Sequence, residues 1–542
     1  MKAIIKKTFT KALASALVIA LINTASAETV SMTAAANSNQ NNSVAYKKLY
    51  SLNFNPNRFT DSFLFLNGQK IEYRAYENIV YVSNPADISS EILSIYVPKA
   101  YLEGGTINGY SAHSAPIFMP NGVGGYMPGP IKAPTDKAIR GRQDATLAAL
   151  AHGYVVVAPA VRGRSTKDEN GRYVGKAPAF IVDYKAAVRY LRYNHDRLPA
   201  GDVNRIIVNG TSAGGALSTL IGASGNSHDY DLYLKYVGAA SAPDDVYAVS
   251  AYCPITNLEN ADAAYEWIFS GVNEYHQVKH NNPPKPDGKP AGNPPPEARG
   301  QMPPAADRPE NAPMESIEAA KMSDTQIAAS RELKKLFITY VNSLNLQDKN
   351  GNKLTLNPNG EGTFADYIKK VYQNSAEEAI RQGKNLNNLN WLTIDSGAVT
   401  SVDLKKYAVW ATRMKATPAF DKFDLSSGEN DEFAVVDNKP LHFSNYLMTK
   451  GTSAESFAPE EIIHLMNPMN FIGREGVKTA QHWRIRHGAK DRDTSIAIPA
   501  ILALALENQG VDVDFSAPWG YGHDGDYDLD ELFSWIDSIC RN

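Results

Sequence analysis

Cysteine is nearly missing from this chain. Two in 542 residues, Cys253 and Cys540, cannot staple a molecule of this size, so the fold must rest on a buried core rather than a disulfide framework. Cys253 closes the apolar run from Val246 to Tyr252 and Cys540 lies two residues from the end; both are expected as free buried thiols. Charge of one sign is also lacking. With 54 Lys and Arg against 58 Asp and Glu, the formal net charge is −4, and neither nucleic acid nor an anionic membrane is an expected partner. Beyond the N-terminal stretch no apolar run is long enough to cross a bilayer, and no internal repeat is visible.

The N-terminal stretch has its own pattern. Lys2, Lys6, Lys7 and Lys11 precede an apolar segment from Ala12 to Ile22 and then Ala25-Ser26-Ala27, which is the layout of a signal peptide cleaved after Ala27. A secreted or periplasmic protein is therefore expected, with a polar leader over 28–50. Short runs that are apolar on both faces follow: Ser94 to Val97, Ala115 to Met119, Tyr154 to Ala158 and Ile206 to Val208. They read as strands of a mainly parallel sheet, with crossover helices over Ala145 to His152 and Phe180 to Tyr193. This α/β core is expected over 51–253 and again over 468–542, where a strand at His482 to His487, a helix at Ser495 to Asn508, a strand at Val511 to Phe515 and a closing helix from Asp528 follow one another. Between the two parts, 254–467 reads as a mainly helical lid insertion. It contains a proline-rich loop at 281–313 and helical patterns over Asp324 to Leu344 and Thr363 to Gln382.

Chemistry concentrates at Gly210-Thr211-Ser212-Ala213-Gly214, a G-x-S-x-G sequence between a buried strand and a helix. Glycine lets the chain reverse sharply there, which exposes the Ser212 hydroxyl as a nucleophile. The Ala213 N–H, at the start of the new helix, can donate to an oxyanion. A serine needs a base, and the base needs an acid to orient it. Asp491 follows one late strand and His523 the next, giving the order Ser, Asp, His found when this chemistry sits on an α/β-hydrolase sheet. Asp493, Asp524 and Asp526 compete with Asp491; His487 competes with His523 but precedes the acid and is expected to be structural. The second oxyanion donor is expected from the backbone of Gly125, or of Gly124 beside it, in Pro120-Asn-Gly-Val-Gly-Gly-Tyr126. No metal or organic cofactor is required.

The elbow, the segment Pro116-Ile-Phe-Met-Pro-Asn-Gly-Val-Gly-Gly-Tyr-Met-Pro-Gly129 and the segment Asp262-Ala-Ala-Tyr-Glu-Trp267 resemble those of the bacterial tannases, from about residue 90 to the C-terminus. The resemblance implies an α/β-hydrolase sheet with a large lid, Ser212, Asp491 and His523 as the triad, and galloyl esters as small-molecule phenolic substrates. It further implies that Lys415 and Glu429 of the lid join Asp493 in holding the ring hydroxyls. Such a site is chemically coherent, because ionised carboxylates accept phenol donors strongly in a dry pocket while a lysine balances their charge. The proline-rich loop matches nothing in that family's shared pattern. Fungal tannases and feruloyl esterases pair cysteines beside the serine and the histidine, whereas Thr211 and Gly522 stand there in this chain. The competing readings are a feruloyl or general aryl carboxylesterase and a non-catalytic esterase-like binding protein.

Overall fold

The computed structural model describes residues 49–139, 141–278, 317–435, 437–450 and 453–541. The expected signal peptide and the proline-rich loop lie outside the described residues. Nine strands form one sheet: β1 (Thr60–Leu66), β2 (Gln69–Val80), β3 (Ile92–Pro98), β4 (Pro116–Pro120), β5 (Val155–Pro159), β6 (Asp202–Thr211), β7 (Ala248–Tyr252), β12 (His482–Arg486) and β13 (Asp512–Ser516). Their order across the sheet is β1-β2-β3-β5-β4-β6-β7-β12-β13. From β5 to β13 all neighbours run parallel, while β1, β2 and β3 are antiparallel additions at one edge.

The burial of each strand follows its place. β4, β5 and β7 are buried at every residue, as parallel strands covered on both faces must be, whereas β1 alternates exposed and half-buried positions. Helices cross between the parallel strands. Ala145–His152 is capped by the Asp144 side chain, which accepts from the Leu147 N–H, and ends on Gly153 in a left-handed conformation. Ala179–Tyr193, Ala213–Ala223 and Ala497–Glu507 supply the other crossovers, and Leu529–Cys540 closes the chain. The expected strands and crossovers are found, and the sheet is the one expected of an α/β hydrolase.

Between Tyr252 at the end of β7 and His482 at the start of β12 the chain leaves the sheet. This excursion carries helices Leu258–Phe269, Asp324–Ser343 and Thr363–Arg381 and two small hairpins, β8 (Glu274–Val278) with β9 (Ile317–Lys321) and β10 (Leu392–Asp395) with β11 (Ala398–Val402). Helix Asp324–Ser343 starts with a full capping box, Ser323 and Gln326 satisfying each other's backbone N–H. The hairpin β8/β9 flanks residues 279–316, and the His276 N–H donates to the Arg413 carbonyl at 2.8 Å. Among the described residues no helix is long and apolar enough to cross a membrane.

Candidate active site

β6 ends at Thr211 and helix Ala213–Ala223 begins one residue later, so Ser212 alone makes the reversal, at φ 62° and ψ −123°. For a residue with a side chain that geometry costs about 1–3 kcal/mol and persists only where neighbours enforce it. They do so here: the Ser212 N–H donates to the Tyr252 carbonyl at 3.0 Å, and the Ser212 carbonyl accepts from Ala216 at 2.9 Å and Ile255 at 3.2 Å. A Cβ on Gly210 would fall 2.3 Å from the Gly214 carbonyl oxygen, so only glycine fits. Asn121 braces the elbow from the other side. Its amide donates to the carbonyls of Asn209 (3.1 Å) and Gly214 (3.0 Å), and its oxygen accepts from Val123 (3.2 Å).

Asp491, His523 and Ser212 are joined in one chain of hydrogen bonds. Asp491 is buried in the turn after β12, where its carboxylate accepts from the Asp493 N–H at 2.8 Å and from Thr494. Burial alone would raise its pKa. The charges on His523 and His487 and the hydrogen bond from His523 outweigh that and hold it well below the usual carboxylate range. An ionised carboxylate only accepts, so His523 Nδ1 carries the proton it gives to Asp491 Oδ2 at 2.9 Å. That leaves Nε2 as the acceptor for the Ser212 hydroxyl, 2.8 Å away. Burial lowers the imidazole's pKa, but its polar neighbours Cys253, Asp491 and Asp493 raise it by more, to a net value above the ordinary one. We attribute the rise to the two carboxylates, because burial keeps Cys253 a neutral thiol.

The other acids have different employment. Asp493 pairs with Lys415, Asp524 with Arg142, and Asp526 accepts from Asn209 at 2.8 Å. The last two fasten the loop bearing His523 to its surroundings. Gly488 permits the approach of that loop to the acid turn: a Cβ there would lie 2.3 Å from the Tyr521 carbonyl oxygen. His487 is buried with Nδ1 3.7 Å from Asp491 Oδ2, and neither ring nitrogen makes a hydrogen bond. Burial lowers its pKa. Cys253 and Cys540 are both free and buried, and Cys253 lies against His523.

A second cluster adjoins the first. Lys415 forms an ion pair with Asp493, and its ammonium sits over the Phe420 ring at 4.1 Å. About a fifth of each side chain of the pair is accessible, 23 % and 22 %. Burial lowers the Lys415 pKa, yet Asp493 and Glu429 together raise it above the usual ammonium value. Glu429 stands half-buried on the short helix Gly428–Glu432. Lys415 and Asp493 are thus in contact, Glu429 acts on Lys415 through its charge, and Asp493 acts likewise on His523.

Helix Leu258–Phe269 holds this cluster in place. Positions i, i+3 and i+4 share a helix face, so Asp262, Tyr265 and Glu266 point the same way. Asp262 accepts from the N–H groups of Phe420 (2.8 Å) and Asp421 (3.0 Å). The Tyr265 hydroxyl accepts from the N–H groups of Met414 (3.2 Å) and Lys415 (3.3 Å) and donates to the Arg492 carbonyl at 2.9 Å. Glu266 takes a buried Arg413 in a two-pronged ion pair and accepts from Thr417 at 2.8 Å and Ser330 at 2.6 Å. Asp421 passes the anchoring on, accepting from Asn430 at 2.7 Å on the helix of Glu429. None of these roles is legible from residue types alone; the 262, 265, 266 spacing of polar groups on one helix face was the available signal.

The loop after β4 places Gly125 at φ 55° and Tyr126 at φ 57°. Arg164 grips it: its Nε donates to the Gly125 carbonyl at 3.0 Å and its backbone N–H to the Tyr126 carbonyl at 2.8 Å. The same guanidinium reaches Asp431 at 2.6 Å, two residues from Glu429, and Lys176 joins from the other carboxylate oxygen at 2.6 Å. Ala213 is the first residue of helix Ala213–Ala223.

A mixed sheet carrying an elbow serine hydrogen-bonded to a histidine, which in turn donates to an aspartate, defines the α/β-hydrolase class. The family model BD-FAE matches residues 125–283. The chain is 44 % identical to the tannin acyl hydrolase of Lactobacillus plantarum, with a TM-score of 0.81 over 90 % of this chain and 99 % of that one. It is 45 % identical to Fusobacterium nucleatum tannase, with a TM-score of 0.82 over 91 % of this chain and 100 % of that one. A tannin acyl hydrolase solved in complex with ethyl gallate is 44 % identical, with a TM-score of 0.80 over 90 % and 99 %. No curated protein matches the chain. The chain belongs to the bacterial tannases, the tannin acyl hydrolases.

Proposed function

We propose that this enzyme hydrolyses galloyl ester bonds through an acyl-serine intermediate, with Ser212 as nucleophile, His523 as base and Asp491 as its orienting acid. The observation that carries the reading is the adjacency of two groups: the hydrogen-bonded triad and, joined to it by the Asp493 N–H on the Asp491 carboxylate at 2.8 Å, the Lys415–Asp493 ion pair, on which Glu429 acts through its charge. His523 Nε2 takes the Ser212 proton as Oγ attacks the ester carbonyl. The oxyanion accepts from the Ala213 and Gly125 amides. His523 then hands the proton to the leaving alcohol, and a water molecule, deprotonated by the same nitrogen, releases gallate and restores Ser212. Asp493 and Glu429 accept the adjacent ring hydroxyls while Lys415 offsets their charge.

The excursion between β7 and β12 acts in this reading as the lid over the site. The relative crystallised with ethyl gallate and another with 3,4-dihydroxybenzoate support a phenolic acyl group as the recognised part. The N-terminal pattern over 1–27 supports export. Incubation with methyl gallate tests the activity: released gallic acid is expected from the wild type, and its absence across neutral pH would overturn the reading. A feruloyl esterase would instead turn over methyl ferulate as well as methyl gallate. The paired carboxylates argue against that, since ferulate lacks a second free hydroxyl beside the first.

A further inference from the structure

One buried nucleophilic group has no place in the reaction above. Cys253 follows β7 in a left-handed backbone conformation, φ 36°, and its thiol donates to the Asp524 carbonyl at 3.5 Å and lies against the His523 side chain. Its sulfur, an imidazole nitrogen of His523 and a carboxylate oxygen of Asp491 all lie within 4.8 Å of one another. We propose that these three side chains form an inhibitory site for a thiophilic divalent cation, such as Cd²⁺, Zn²⁺ or Hg²⁺, and that its occupation stops ester hydrolysis.

The donor set selects the ion. A thiolate, an imidazole and one carboxylate oxygen match soft and borderline metals, whereas Mg²⁺ and Ca²⁺ require many oxygen ligands. Bonds of about 2.3 Å to sulfur and about 2.0 Å to nitrogen put tetrahedral donors roughly 3.5 Å apart, so closure asks for a contraction of about 1 Å. The fourth position is left for water. His523 supplies the entry, since 20 % of its side chain is accessible while Asp491 is sealed. Binding expels the Cys253 thiol proton to solvent and forms the metal–sulfur bond in its place. Either ring nitrogen suffices to stop catalysis. Nε2 is the base for Ser212, and a metal on Nδ1 displaces the proton that Asp491 accepts.

The shut-off rests on the proposed role of His523 as base; the binding does not. Two readouts on the full chain separate them: thiolate-to-cadmium charge-transfer absorption on titration with Cd²⁺, and methyl gallate hydrolysis, each variant being compared with its own metal-free rate. The wild type is expected to gain the band at one equivalent, lose activity in step, and recover both with EDTA. Cys253→Ser, with Cys253→Ala as a second variant should the first fail to fold, is expected to lose the band. It should also need a cadmium concentration higher by roughly a hundredfold or more, since even indirect partners of a metal ligand are worth roughly 10–100-fold. Cys540→Ser should behave as the wild type. Ser212→Ala should still give the band, which would preserve the site even if serine catalysis proved wrong. No band in the wild type, or a Cys253 variant inhibited at the same cadmium concentration, would overturn the proposal; a band without loss of activity would overturn the shut-off.

Discussion

Tyr265→Phe removes one oxygen atom and should separate galloyl recognition from ester chemistry. The hydroxyl is shared by three backbone groups: the Arg492 carbonyl at 2.9 Å and the N–H groups of Met414 and Lys415 at 3.2 and 3.3 Å. Deleting it orphans all three in a buried place. A lost donor or acceptor costs about 1–3 kcal/mol, but the two N–H contacts are long and belong at the low end, so roughly 2–4 kcal/mol of stability should go. The ring itself stays, packed against Phe269 with centroids 4.7 Å apart. Freed from its tether, the Lys415 backbone shifts relative to Asp493, and a small misplacement of a binding group is worth about 1–2 kcal/mol, or roughly 5- to 30-fold in kcat/KM. Methyl gallate should suffer that loss and methyl benzoate, which has no hydroxyls to read, should not. Urea unfolding on the same protein gives the stability term. Equal losses on the two esters, or lost stability with unaltered methyl gallate kinetics, would refute the assignment of Tyr265 as the residue that positions Lys415.

Glu429→Ala should lower kcat/KM on methyl gallate by about 1.5–3 kcal/mol, the worth of a charge-assisted hydrogen bond, and leave methyl benzoate nearly unchanged; parallel losses would move the hydroxyl-reading site elsewhere. Asp491→Asn should cost orders of magnitude in kcat even on a phenyl ester without ring hydroxyls, whereas Asp493→Asn should be far milder there; the reverse ranking would exchange their roles. The pH profile follows from His523. Its pKa is raised above the ordinary value of about 6.5, so the base form fills, and kcat/KM rises, only as pH climbs past that higher value. Asp493→Asn removes one of the charges responsible, so the acid limb measured on the phenyl ester should move to lower pH; an unmoved limb would mean that Asp493 does not act on the imidazole. Gly488→Ala should lower the Tm and the activity together, because the new methyl collides with the backbone at Tyr521 and must push the histidine loop away.

Local patterns made much of this architecture readable. Helix Ala145–His152 has the bounds expected from its sequence, since an aspartate cap and a terminal glycine mark both ends. The elbow was readable for the same kind of reason: glycine at 210 is required by the Gly214 carbonyl of the same turn, a local constraint. Sheet order was not. Ser94 to Val97 is as apolar as any parallel strand, yet β3 pairs antiparallel with both neighbours, and pairing partners are decided by crossovers that residue types do not reveal. The anchoring groups were hidden by distance along the chain. Glu266 and Arg413 are 147 residues apart, and nothing near either announces the other. Cys253 reads as a small apolar residue at a strand end, and its contact with His523, from the far side of the excursion, exists only in the folded chain.

Helix Leu258–Phe269 settles how the recognition groups behave before any ligand arrives. Asp262, Tyr265 and Glu266 on it grip the segment 413–421 at both ends, and through Asp421 the grip extends to the helix bearing Glu429. Motion of that segment therefore requires breaking a buried ion pair and several buried hydrogen bonds at once, so its amides should exchange with deuterium near the slow limit set by global unfolding. Little conformational entropy is left for a phenolic ring to remove on entry. Discrimination between hydroxylated and bare rings is in that case a property of a rigid template, and it should vary little with temperature or viscosity, unlike that of an enzyme whose lid folds around its substrate.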